Sequence, residues 1–276
     1  MGLVDRVPAP ALRWAGRQQF RPLIGPVVKA LSSRLLHSTR VVAHGQAAGL
    51  RIDPAGAAAG YALGTSEPLI QDVFAEHVRR GGVVWDVGAN IGFYSLIASR
   101  LVGAGDGDGE VVAFEPLPAN QDAIRRNLAL NEIANVRLVP IALSDAAGEA
   151  ELEIHASPTW AKLDTSGDTA FKRDGEVSDR VRVEVSTLDA QLDGYAAPDL
   201  VKMDIEGAEV AALRGASRLL GEHRPTLICE LHGTNAAVTE LLESHDYEVR
   251  VVETPQIRPQ DAEWYVHVLA TPRASA

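Results

Sequence analysis

The chain has 276 residues, 46% apolar and 23% charged, enough apolar material for one sizeable core or a core with an appendage. Its net charge of −11 argues against a surface built for non-specific nucleic-acid binding, and its single cysteine, Cys229, excludes an intrachain disulfide. No apolar run reaches the roughly 20 residues needed to span a bilayer, and no uninterrupted signal-peptide core opens the chain, so a cytoplasmic enzyme is the expectation.

Residues 1–40 read as short helical pieces split by Pro8, Pro10, Pro22 and Pro26. This arm carries seven basic residues against one acid, Asp5. It either packs on the protein's own acidic body or touches a membrane surface or an acidic partner. Val41–Val42 and Leu50–Ile52 read as a small hairpin, so residues 1–65 form an N-terminal extension and 66–276 the main domain. A helix is expected from Glu67 to Val78, with Pro68 in its first turn and Leu69, Val73 and Phe74 at helical spacing.

Strands and helices then alternate. Val83–Val87 is an apolar strand, 92–101 a helix, and Gly103–Gly109 a turn. Val111–Phe114 is a second strand, 118–131 a helix, and Val136–Val139 a third strand. Leu200–Met203 and Thr226–Leu231 follow as strands, with helices at 209–220 and 235–244. Tyr247–Val252 and Trp264–Leu269 close the chain as two strands with no helix between them. This alternation predicts a mainly parallel sheet covered by helices on both faces, with an antiparallel hairpin at one edge. Between the third and fourth strands, Ala150–His155 and Arg180–Ser186 alternate like half-buried strands. The polar stretch 157–179 reads as an irregular loop, with Trp160 as a residue either contacting substrate or simply exposed.

Asp86-Val87-Gly88-Ala89-Asn90-Ile91-Gly92 lies where a strand ends and a helix opens, the context that gives a glycine motif meaning. Gly88 permits a tight turn and close approach by a ligand. A dinucleotide loop would place a glycine where Asn90 stands, and Asp86 disfavours a pyrophosphate. The set suits a cationic ligand such as the methionine part of S-adenosylmethionine. Glu115, directly after the second strand, is placed to accept hydrogen bonds from a ribose diol.

The chain resembles the FkbM-type family of S-adenosylmethionine-dependent methyltransferases. The resemblance rests on Gly64-Thr65-Ser66-Glu67-Pro68, Asp86 to Ser95, Phe114-Glu115-Pro116 with Asn120, and Ala142-Leu143-Ser144-Asp145. It continues in Thr187-Leu188-Asp189, Glu230-Leu231-His232 and the most specific piece, Lys202 to Glu209. The resemblance implies a class I methyltransferase fold with sheet order 3-2-1-4-5-7-6, and O-methylation. It also implies that Asp86, Gly88 and Asn90 line the methionine end and Glu115 the ribose. Asn120 would support that strand end, Ala142 and Ser144 would lie near the adenine, and Tyr61 and Glu67 would close over the cofactor.

A hydroxyl is a poor nucleophile until its proton is removed or polarised. Asp204, Glu206 and Glu209 follow the fourth strand, while Glu230 and His232 end the fifth, all on the carboxyl side of the sheet where such folds bind ligands. Two readings stand. Asp204 or His232 is the general base, with Glu206 beside it, and Asp204 also reaches the cofactor. Alternatively, Glu206, Glu209, Glu230 and His232 hold a divalent ion such as Mg²⁺ that acidifies the acceptor. The remaining histidines, His267 among them, show no metal-ligand spacing. The acceptor is expected to be a small hydroxylated molecule, a sugar or a natural-product intermediate. N-methylation on the same scaffold, a catalytically inactive cofactor-binding protein, and a dehydrogenase are the competing readings.

Overall fold

A computed structural model describes residues 7–12, 38–103, 109–155, 161–163 and 177–274. Most of the basic arm, Trp160 and the middle of the Gly103–Gly109 turn lie outside the described residues. Among those described, no helix is long and apolar enough to cross a membrane.

From residue 38 onward come two short paired strands, β1 (Arg40–Val41) and β2 (Arg51–Ile52), then α1 (Ala59–Leu63) and α2 (Pro68–His77). The alternating part follows: β3 (Val83–Val87), α3 (Phe93–Val102), β4 (Glu110–Phe114), α4 (Pro118–Leu130) and β5 (Val136–Val139). An inserted sheet comes next, made of β6 (Ile141–Leu143), β7 (Gly148–His155), β8 (Ala161–Leu163) and β9 (Val177–Ser186). The main alternation resumes through α5 (Leu188–Gln191), β10 (Leu200–Met203), α6 (Glu209–Arg214), β11 (Thr226–His232) and α7 (Asn235–Ser244). The last strands are β12 (Tyr247–Val251) and β13 (Tyr265–Pro272).

Seven strands form the central sheet in the order β12-β13-β11-β10-β3-β4-β5. Only β13 runs against its neighbours. Counted along the chain, this is the expected order 3-2-1-4-5-7-6. The second sheet, β6-β9-β7-β8, was visible in the sequence only as two alternating strands. Ile141–Leu143 leaves the central sheet after Pro140 and pairs in parallel with β9. Part of the stretch expected to be irregular is strand β8, paired antiparallel with β7.

One expected helix is shorter than its apolar spacing suggested. The segment 209–220 is helical only to Arg214, and a π-helical turn at Leu219–His223 follows. Gly215 interrupts it: a Cβ there would strike the carbonyl oxygen of Ser144, so the helix end is pressed against the inserted sheet.

Strand alternation sends successive residues to opposite faces. One face of the central sheet is apolar at its centre, with Trp85, Val87, Val201, Met203, Cys229, Leu231 and Val268 packed into one buried cluster. The other face carries Val84, Leu200, Ile228 and Leu269 in a second cluster, under α2, α3 and the N-terminal strands. Asp86, Lys202, Glu230 and His267 share that second face, and all four are buried. One buried amide, Asn127, ties the segment 40–77 to α4 and the glycine loop, and another, Gln71, braces the segment internally. Asn127 of α4 accepts from the Asp53 N–H at 2.7 Å and donates to the Ile91 carbonyl at 2.9 Å. Gln71 of α2 accepts from the Gln46 N–H at 2.8 Å and donates to the Ser66 carbonyl.

Candidate active site

The carboxyl ends of β3, β4, β10 and β11 open into two adjoining cavities that share Asn90, Asp204 and Glu206. The first, about 680 Å³ with its open mouth, is walled by Gly88, Glu115, Asn120 and the apolar side chains of Leu117, Ala142 and Leu152. The second, about 970 Å³ on the same basis, is walled by Tyr61, Glu67, Glu230, His232 and Tyr265.

The glycine loop is shaped by backbone geometry. Gly88 has φ of +79°, and a Cβ there would run into the Asp204 carbonyl, so the turn requires glycine. The N–H groups of Gly88 and Ala89 both donate to the Phe114 carbonyl at 3.0 Å, fixing the loop to the end of β4. Glu115 completes that junction. Its carboxylate accepts from the Asn90 N–H at 2.7 Å and the Leu117 N–H at 2.9 Å. Burial pushes Glu115 up to about 7, against the hydrogen bonds from Leu117, Asn90 and Asn120 that lower it.

Three residues lining the second cavity hold left-handed backbone without being glycine: Glu67 at φ 45°, Asn90 at 54° and Glu206 at 51°. Such conformations cost energy and persist where the surroundings impose them, commonly at functional sites.

The acids expected at the chemical end come together. His232 Nδ1 lies 3.0 Å from Glu209 Oε1, and its Nε2 lies 3.2 Å from Glu230 Oε1 and 3.4 Å from Glu206 Oε2. Burial works against the charged ring, but hydrogen bonds to Glu209 and Glu230 and the charge of Glu206 push His232 up to about 10. His232 is therefore an imidazolium near neutral pH, not a free base. Burial pushes Asp204 well above the ordinary carboxylate range; Lys202 and His232 oppose the rise, while Glu230 and Glu206 add to it. Lys202 Nζ lies 4.0 Å from Asp204 Oδ2 and 5.1 Å from the centre of the Tyr94 ring. Burial pulls Lys202 down, but Asp204, Glu230, Glu67 and Asp86 outweigh it and leave the ammonium strengthened.

The expected four-residue Mg²⁺ set of Glu206, Glu209, Glu230 and His232 does not surround one point. Glu209 sits behind the imidazole, with Oε1 taken by the Gly207 N–H at 2.8 Å and Oε2 by the Thr234 hydroxyl at 2.9 Å. Donor atoms of Asp204, Glu230 and His232 do lie within 4.8 Å of one another. In the structure these donors are joined in a hydrogen-bonded network in which each nitrogen of His232 faces a carboxylate.

Two other expected residues stand apart from the cavities. Asp86 lines neither; its carboxylate accepts from the buried Ser95 hydroxyl at 2.5 Å, behind the loop. Ser144 gives its N–H to the Ser186 carbonyl, and it is Ile141, Ala142 and Leu143 that reach the first cavity. Tyr265 and Leu152 were not singled out in the sequence. Leu152 comes from the inserted sheet, and Tyr265 reaches the cavity by pairing opposite His232. Cys229, on the apolar face, has its thiol pushed up to about 12 by burial and is a core residue.

The sheet order, the glycine turn at the end of β3 and the acid at the end of β4 define a class I S-adenosylmethionine-dependent methyltransferase. The model of the methyltransferase FkbM domain matches residues 86–249. The chain belongs to this FkbM methyltransferase family. It is 26% identical to methyltransferase sdnD of Sordaria araneosa, over 66% of this chain and 82% of that protein. It is 28% identical to the 31-O-demethyl-FK506 methyltransferase FkbM of Streptomyces tacrolimicus, over 75% of this chain and 91% of that protein. It is 27% identical to the hexuronic acid methyltransferase AglP of Haloferax volcanii, over 57% of this chain and 59% of that protein.

Proposed function

We propose that this enzyme methylates a hydroxyl group of a small molecule such as a sugar or a natural-product intermediate. The observation that carries the reading is the pair of cavities meeting at Asn90, Asp204 and Glu206. Glu115 faces the ribose hydroxyls in the first cavity, and Leu117, Ala142 and Leu152 offer the adenine an apolar wall. The acid-rich second cavity holds the methionine end and the acceptor. S-adenosylmethionine, when bound, supplies the electrophilic methyl group. The protein aligns the acceptor oxygen with it and removes the hydroxyl proton. Asp204 takes that proton, because its raised pKa makes it a stronger base than an ordinary carboxylate, and it lines both cavities. Glu206 and the charged His232 hold the wall around it.

The names of two relatives fit an oxygen acceptor: one specifies a 31-O position and another a hydroxyl-rich sugar acid. The test is a screen with methyl-labelled S-adenosylmethionine against hexuronic acids, 31-O-demethyl-FK506 and matched amines, with and without a chelator. Label on a hydroxylated acceptor, unaffected by chelation, is expected. Label on amines alone would overturn the O-methyl reading, and loss of turnover on chelation would restore the metal.

A further inference from the structure

Behind the second cavity a file of alternating acids and imidazoles leads away from the site. Glu230 lines the cavity with one face and binds His232 through Oε1. Its Oε2 lies 3.1 Å from His267 Nε2, and His267 Nδ1 lies 2.6 Å from Glu253 Oε1. The antiparallel register of β11 and β13 sets Glu230 directly opposite His267. Glu253 also accepts from the His267 N–H at 3.2 Å, locking the imidazole between two carboxylates. His267 is 1% exposed, whereas the Glu253 side chain is 38% exposed and ends the file at the surface. Both residues lie beyond the stretch 86–249 that carries the family match.

We propose that His267 and Glu253 are positioning residues, clamping Glu230 as an anion turned toward the cavity, where it favours the sulfonium of S-adenosylmethionine over the neutral thioether product. This rests on the proposed cofactor site. Lys202, Asp204, His232, Tyr265 and His267 face Glu230; Glu67, Tyr265 and Glu253 join Glu230 around His267. Burial would raise Glu230, but the hydrogen bonds from His232 and His267 and the charge of Lys202 hold it well below the usual carboxylate range. Removing the His267 imidazole frees Glu230 Oε2 from its partner, so the carboxylate is no longer held toward the cavity.

Calorimetry at pH 8 and pH 6 on the wild type, His267→Gln and Glu253→Gln, with S-adenosylmethionine and S-adenosylhomocysteine as probes, reads this without an acceptor. The quantity is the affinity ratio of the two ligands in each variant, referred to the wild type at the same pH. That reference cancels Glu115, which faces the ribose of both ligands. The ratio is expected to fall about tenfold at both pH values in His267→Gln, the scale of one charge-assisted hydrogen bond lost from the carboxylate. Glu253→Gln should move it the same way by less. Ratios that track the wild type at both pH values would overturn the proposal, whatever the change in melting temperature. Should His267→Gln not fold, Glu253→Gln at the surface end decides alone. A wild type that binds neither probe would remove the cofactor reading itself, a different failure.

Discussion

The two faces of the central sheet come from the same strands by the same alternation, yet one is a core and the other is a machine part. On the first face, Trp85, Met203, Leu227 and Cys229 pack together in one apolar cluster. On the second, apolar residues hold the amino ends of the strands, and the level above them is a buried ionic layer running from Asp86 and Lys202 to Glu230 and His267. Burying charge is costly unless each charge meets an opposite partner. The layer meets that condition: Lys202 faces four acids, and each imidazole sits between carboxylates. The apolar face can be altered one residue at a time, whereas the polar face works as a unit.

Substitutions that separate the two faces test this contrast. The largest effect is expected from Asp204→Asn, which should cut methyl transfer by about 100- to 10,000-fold while S-adenosylmethionine binding by calorimetry stays within a few-fold. Near wild-type turnover would remove Asp204 as the base. Lys202→Met should destabilise the fold by about 3–5 kcal/mol in denaturant titrations, because it strands several buried acids without their cation. On the apolar face, Leu227→Ala should cost about 2–5 kcal/mol through the cavity it leaves, with no change in how stability depends on pH. A pH-dependent Leu227→Ala, or a pH-independent Lys202→Met, would dissolve the distinction between the faces.

Proton linkage sharpens it. His232 is raised from 6.5 to about 10 in the folded state, so its stabilisation is fully present below pH 6.5 and is lost as pH rises through 10. Denaturation curves between pH 6.5 and 10 should therefore show a fall in stability that flattens in His232→Gln. The smallest effect is expected at the cofactor end. Glu115→Gln should weaken S-adenosylmethionine binding by roughly tenfold, the scale of one charged hydrogen bond, and leave the apolar face untouched.

Much of this was legible in the chain. Strand alternation and apolar runs gave the parallel sheet and its closing hairpin, and the Asp86–Gly92 turn with Glu115 marked where a nucleoside would sit. Other features were hidden because they depend on partners far along the chain. Nothing local told that Ile141–Leu143 would leave the main sheet for β9, or that Leu152 would wall a cavity. His267 stood in an apolar strand as a lone polar residue, a signal that could have been read only with the register of β13 against β11.

The sequence by itself determined the fold class, the family and the carboxyl-end location of the acids, because periodicity and turn chemistry act over a few residues at a time. The tertiary structure alone decided the role of each acid. It set Glu209 behind His232, Asp86 against Ser95, Asp204 at the meeting of two cavities and Glu230 between two imidazoles. The charge a buried group carries depends on what burial removes and on which neighbours lie within a few ångströms, and those neighbours come from strands tens of residues apart.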